Sequence, residues 1–298
     1  MRRGVLLIVP ALAAMLFAMA SGCSTQGRVD PEKLGPPPST GELAQAHNQR
    51  VAPLETLWAR VSVRASGVYD DGERFEEQGE GHLQILKPDM VSLTIGKLGE
   101  TYFAFGANTD HYWSFDLSNA DRKVLLIGDL AQVTPDKAAA LGLPVHPAEL
   151  IALSGIAPID MARAGGTRWA DDGRSVGISV PSRWGSFTLW IDPRTGLVVR
   201  SQAFDRGGVL IATAELTRYK EAAVPGALPV WVPGKIEITE EGSDGFVRIE
   251  LSEPQSREIR PMVFHPQRLI RAYRIDETIN LDEAFERTED ETEAGAGS

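Results

Sequence analysis

One cysteine, Cys23, is all that this 298-residue chain contains, so no disulfide forms within it and the fold rests on packing alone. Positive charge is also short. Lys and Arg number 30 against 41 Asp and Glu, a formal charge of −11. Phosphate binding needs a basic footprint, so nucleic acid is not an expected partner. Beyond residue 20 no apolar run approaches the ~20 residues that a spanning helix requires. The five histidines (His47, His82, His111, His146 and His265) are scattered, and no pair has metal-ligand spacing on one helix. A Walker-type loop, a dinucleotide fingerprint and a G-x-S-x-G elbow are absent. Gly79-Glu80-Gly81 and Gly165-Gly166 are too short to cradle phosphate, and Asp70-Asp71 and Glu76-Glu77 read as turn and exposed-strand charges. Without a convergent reactive set, the chain is expected to be no enzyme and to need no cofactor or metal.

What is present begins at the N-terminus. Arg2 and Arg3 precede an apolar run from Val5 to Ala20, broken by Pro10 and followed by Ser21-Gly22-Cys23. A basic start, a short apolar stretch and small residues make a secretory signal peptide, too short and badly flanked to span. Two cleavage sites compete. Ala18-Met19-Ala20 is an A-x-A site that would release a soluble chain beginning at Ser21. Ala20-Ser21-Gly22-Cys23 resembles the lipobox of bacterial lipoproteins, with alanine where leucine is commoner. That resemblance implies a diacylglycerol-bearing Cys23 as the first mature residue, and Ser24 after it implies the outer membrane. Each buried acyl methylene contributes about 0.8 kcal/mol, so several chains anchor firmly.

Removing residues 1–22 leaves 276 residues (298 minus 22), enough for a sizeable core. Residues 23–41, with Gly35-Pro36-Pro37-Pro38, read as a semi-rigid tether. Residues 42–280 read as one mainly β domain, and residues 281–298 as a solvated acidic tail. Glu42 to Trp58 is expected to be helical, with Leu43, His47, Arg50, Leu54 and Leu57 on one face, Thr40 as cap and a kink at Pro53. Ala59, Val61, Val63 and Ala65 then alternate with Arg60, Ser62, Arg64 and Ser66, the pattern of a half-buried strand. Strands are expected at 79–86, 90–95, 101–106, 111–117 and 123–127, with turns short enough for antiparallel neighbours. Two short helices follow, one from Thr134-Pro135 to Gly142 and one from His146-Pro147 to Gly155. Strands resume at 175–180, 186–192, 197–204, 209–219, 235–240 and 245–251. Trp58, Trp113 and Trp190 are expected in the core, the alternative being the lining of a ligand cavity.

This order of elements behind a signal peptide resembles the LolA/LolB-like family from about Leu43 to Leu251. The resemblance implies an incomplete antiparallel β-barrel of about eleven to twelve strands, with an N-terminal helix and short lid helices over an apolar cavity. A sharper match lies in Val91-Ser92-Leu93-Thr94-Ile95-Gly96-Lys97-Leu98-Gly99-Glu100-Thr101. It is similar to the receptor's strand–loop–strand, whose loop carries Pro-Leu-Gly with a projecting leucine. Leu98 falls on that leucine and Gly99 on the glycine, while Lys97 replaces the proline. Leu98 is thus expected to contact membrane or an acyl chain, the alternative being that it folds back onto the sheet. The implied role is a lipid-anchored, periplasm-facing protein that accepts or shuttles acyl chains of lipoproteins. Its partners would be the outer membrane, acyl chains or lipoproteins, and a periplasmic carrier protein. The alternative is a non-catalytic structural or interaction lipoprotein without a ligand.

Overall fold

The computed structural model describes residues 33–68, 72–141, 146–183 and 185–287. The signal peptide, Cys23, the turn at Asp70-Asp71, Gly142 and residues 288–298 lie outside the described residues.

The first helix, α1 (Thr40–Val51), is capped by Ser39 and not by Thr40. Ser39 and Glu42 form a reciprocal capping box: Glu42 N donates to Ser39 Oγ (3.3 Å) and Ser39 N to Glu42 Oε2 (2.9 Å). The expected kink at Pro53 is an end instead. Proline has no N–H to continue the ladder, and Leu57 belongs to strand β1 (Thr56–Val68), where it is buried. In β1 the alternation places Ala59, Val61 and Val63 inside and Arg60 and Arg64 outside.

β1 is followed by β2 (Arg74–Leu86), β3 (Met90–Lys97), β4 (Glu100–Ala107), β5 (His111–Asp116) and β6 (Val124–Asp129). Helices α2 (Pro135–Ala139) and α3 (Leu150–Leu153) intervene. Then come β7 (Thr167–Trp169), β8 (Val176–Pro181), β9 (Gly185–Ile191), β10 (Val198–Asp205) and β11 (Leu210–Thr217). The ribbon β12 (Lys220–Ala222) with β13 (Val230–Val232) leads to β14 (Lys235–Glu240) and β15 (Phe246–Gln255). Helix α4 (Pro266–Tyr273) and strand β16 (Glu277–Asn280) complete the order.

Among the described residues the main sheet has 14 strands in the order β16-β6-β5-β4-β3-β2-β1-β15-β14-β11-β10-β9-β8-β7, an open and therefore incomplete barrel. Neighbours are antiparallel except β16, which joins β6 in parallel. β1 is the seam between the halves, pairing with β2 on one side and β15 on the other. Strands approach each other closely in the first half. A Cβ on Gly81 would lie 1.7 Å from the Thr94 carbonyl oxygen, so β2 comes this close to β3 only with glycine there.

Every strand segment read from alternation is present. The strands β7, β12, β13 and β16 leave no alternation in the sequence, being three or four residues long, too short for a period of two to register. Two boundaries differ from expectation. The tether is bonded to the sheet at its end: Trp169 Nε1 donates to the Gly35 carbonyl (3.0 Å) and Thr167 Oγ1 to that of Pro38 (2.6 Å). The acidic tail does not begin at 281, because residues 281–287 are helical and Leu281 and Asp282 are buried.

The three tryptophans are buried but not inside the barrel. Trp113 lies under α4 with Phe115, Leu125 and Leu269 in a second, smaller core. Trp58 stacks between His82 (5.3 Å) and the Arg257 guanidinium (3.8 Å). Trp190 donates to Gln202 Oε1 (2.7 Å) beside Arg168 and Arg200.

Candidate functional site

The inward residues of β1 to β6, β14 and β15 enclose a cavity of about 1090 Å³, at the upper end of ordinary ligand pockets. Its wall is mostly apolar, with Ser114 among the buried polar exceptions: Val63, Leu93, Phe105, Ile238 and Ile249 line its inner part, and Ile95, Phe103 and Leu126 stand half-buried toward its opening. Leu141 and Leu150 close the inner end from the helical segment. That segment forms where expected. Thr134 caps α2, accepting from Lys137 N (3.3 Å), and Pro147 opens a single 3-10 turn that runs into α3. Among the described lining residues, charged side chains occur only around the opening: Glu77, Asp116 and Glu240, with Lys97 as the one cation.

In the other half of the barrel a protein segment covers the sheet. Residues 150–159 lie against β10 and β11 so closely that a Cβ on Gly155 would sit 2.8 Å from Val198 Cβ and 3.0 Å from Leu216 Cδ1. Helix α1 is clipped on top. Asn48 Nδ2 donates to the Ile159 carbonyl (2.8 Å) and Asn48 Oδ1 accepts from Ile159 N (2.7 Å). His47 Nε2 donates to the Ala157 carbonyl (2.8 Å), leaving Nδ1 to accept from Arg50 Nη2 (3.4 Å). That is the neutral imidazole, and burial accordingly lowers the His47 pKa to about 4. Arg50 fastens the helix further through the Trp231 and Gly155 carbonyls. The face read for α1 from sequence is the face that packs, with a histidine serving structure and not chemistry.

The lid is tied down by residues that sequence reading did not single out. Lys137 of α2 meets Asp282 at 2.7 Å, with both side chains 11% exposed. Asp282 also accepts from Asp129 N (2.8 Å), so β6, α2 and helix 281–287 share one carboxylate. His146 lies edge-on to Tyr112 with ring centroids 5.0 Å apart, and burial lowers its pKa to about 3. Burial raises the Glu149 pKa to about 7. Leu269, Ile270 and Tyr273 behind Pro266 form the packed face of α4, a helical spacing that was available in the sequence. The Lys137–Asp282 pair left no such signal, because the two residues are far apart in the chain.

Leu98 stands at the tip of the β3–β4 hairpin. Lys97 pairs with Glu100, and the two residues between them have positive φ, 55° at Leu98 and 88° at Gly99. That is a type I′ turn, which favours Asn-Gly. Leu98 is 96% exposed, so it does not fold back onto the sheet. Val68 and Tyr102, at the same end of their strands, are exposed as well. Among the described residues no group of three or more His, Cys, Asp or Glu is placed to hold a metal ion, and no helix is long and apolar enough to cross a membrane.

No protein-family model and no curated protein matches the sequence. Solved structures do match. A DUF1329 family protein from Desulfovibrio piger is similar with a TM-score of 0.53 and 13% identity, over 80% of this chain and 99% of that one. A domain described as an outer membrane lipoprotein-sorting protein domain, from Vibrio parahaemolyticus, is similar with a TM-score of 0.52 and 10% identity, over 76% and 98%. A LolA superfamily protein from Nitrosomonas europaea aligns at a TM-score of 0.49 and 13% identity, over 76% and 98%. The Desulfovibrio and Vibrio likenesses carry the comparison, and at such identities it speaks for the fold alone: the chain shares the fold of these two structures, an incomplete antiparallel barrel.

Proposed function

We propose that this chain is a non-catalytic envelope protein that binds acyl chains, such as those of lipoproteins, in the hollow half of its barrel. The cavity of about 1090 Å³ with a mostly apolar wall is the observation that carries this reading. Burial of apolar surface there contributes about 25 cal/mol per Å², so a long alkyl chain needs no specific polar contact to be held. Leu98 is the residue that touches the membrane or the incoming chain. A leucine held in the left-handed region at a fully exposed turn tip is unfavourable for the hairpin itself, which supports a role outside the fold. Acylated Cys23 anchors the protein to the outer membrane, and a periplasmic carrier hands over the lipoprotein.

Purified protein incubated with a hydrophobic fluorescent probe, and extracted for lipid mass spectrometry, tests the cavity. Saturable uptake and a co-purifying acyl lipid are expected; failure of both would favour a ligand-free structural lipoprotein. Leu98→Glu tests the loop, with unchanged uptake but slower lipoprotein transfer to membranes expected. An acyl mass on Cys23 in the mature protein tests the anchor.

A further inference from the structure

The cavity wall and its opening differ in character, and that difference selects a ligand class. Among the described residues every charged side chain that lines the cavity is at the opening: Glu77 near the start of β2, Lys97 at the end of β3, Asp116 at the end of β5 and Glu240 at the end of β14. All four are exposed, while Leu93, Phe105, Ile238 and Ile249 deeper in are buried. Among the described residues none of the four makes an ion pair. Asp116 accepts only from Ser118, through its N (3.0 Å) and Oγ (2.6 Å). The neighbouring cations are already engaged, Arg64 by Glu76 (2.6 Å) and Arg74 by Asp244 (3.9 Å). Among the described residues the opening therefore carries three carboxylates against one ammonium, in a chain whose formal charge of −11 has the same sign.

A ligand that buries an apolar tail in this cavity leaves its polar head among those carboxylates. Charges within a Debye length, about 8 Å at physiological salt, interact without full screening, and a cleft lined by one sign concentrates the opposite one. We infer that the cavity selects amphiphiles with a cationic head, and discriminates against anionic heads on the same tail. This inference rests on the acyl-binding reading above and adds a head-group preference to it. Lys97, at the base of the Leu98 turn, is the one group that works against the preference, so its charge sets how strong the preference is.

The test is displacement of a neutral hydrophobic probe from the full mature protein by three ligands sharing one tail: dodecylamine, dodecanol and dodecanoate, at neutral pH and below their micellar concentrations. The amine is expected to displace the probe at about tenfold lower concentration than the carboxylate, with the alcohol between them and the gap closing at high salt. In Glu77→Gln/Asp116→Asn/Glu240→Gln, whose changes are all at exposed positions, the ratio falls toward one while alcohol binding is unchanged. Lys97→Glu widens it. Equal displacement by amine and carboxylate, or a ratio that survives the triple substitution, overturns the head-group preference and leaves the acyl-binding cavity standing. No uptake of the probe at all overturns both.

Discussion

On β10 and β11 the inward residues Val198 and Leu216 meet Gly155 of the 150–159 segment, with α1 bonded above it, whereas Val63, Leu93, Phe105 and Ile249 on the other half line the cavity. Both faces are built of alternating strands whose inner residues are mainly apolar. They differ in what covers them. In the filled half Asn48 and His47 bond the backbone of 157–159 to the helix, so a polypeptide layer occupies the concave side. In the hollow half the lid reaches only the inner end, through Leu141 and Leu150, and the mouth is ringed by charge. An apolar face without a protein partner is a vacancy for an apolar ligand. The comparison thus separates residues that stabilise the fold from residues free to serve binding.

Substitutions can break or sharpen that contrast. The largest effect is expected at the tie on the lid. Asp282→Ala leaves Lys137 buried without its partner and should cost about 3–5 kcal/mol in urea unfolding, while increasing probe access to the cavity. Next, Leu216→Ala in the filled half should cost about 2–5 kcal/mol, against about 1 kcal/mol for Ile95→Ala at the cavity, where space already exists. Equal losses would mean that the two halves are packed alike.

Acid should act on the filled half through His47. Its pKa is depressed to about 4 from an ordinary value of 6.5, chiefly by burial. As pH falls from 6.5 to 4 the unfolded chain takes up a proton that the folded one refuses, so stability drops by about 3 kcal/mol and then levels off. His146, lowered to about 3, adds a loss of the same sign. Glu149, raised to about 7, opposes both, because the stability of its neutral form is complete below its ordinary 4.5 and is lost as pH rises through 7. Urea midpoints at pH 7 and pH 4.5 should therefore converge in His47→Gln relative to the parent.

Enlarging a side chain should give a smaller contrast. Ala214→Phe is expected to cost about 1–3 kcal/mol by overpacking, whereas Ala65→Phe at the cavity should be nearly neutral to stability and reduce probe uptake. The smallest effect, and the one of opposite sign, belongs to the tip. Leu98→Asn should raise stability by about 0.5–1 kcal/mol by suiting the type I′ turn, and at the same time slow acyl transfer to membranes.

The strands, their antiparallel order and the faces of α1 were legible because period and turn chemistry are local properties. Ala59 to Val63 declare an inside and an outside without reference to any other strand. Leu98 was legible for the same reason, as an apolar residue where turn chemistry calls for a polar one, although its exposure had to be seen. Pro53 ended α1 where a kink was expected, since a local signal leaves open whether the chain beyond it finds a strand partner. The short edge strands β7 and β16 and the buried Lys137–Asp282 pair depend on residues distant in sequence, and alternation cannot register them. Glu76-Glu77 read as an ordinary charged strand. Only the pairing of β2 with β1 and β3, with β14 and β15 lining the same cavity, turned Glu77 into part of a mouth. Alternation identifies which face is apolar, but the volume that a face encloses is set by how the sheet curves and which segment crosses it. By itself, then, the sequence determined an apolar inner face along the whole barrel. Tertiary structure alone decided that α1 and residues 150–159 fill one half and leave the other hollow, because filling depends on contacts between segments a hundred residues apart.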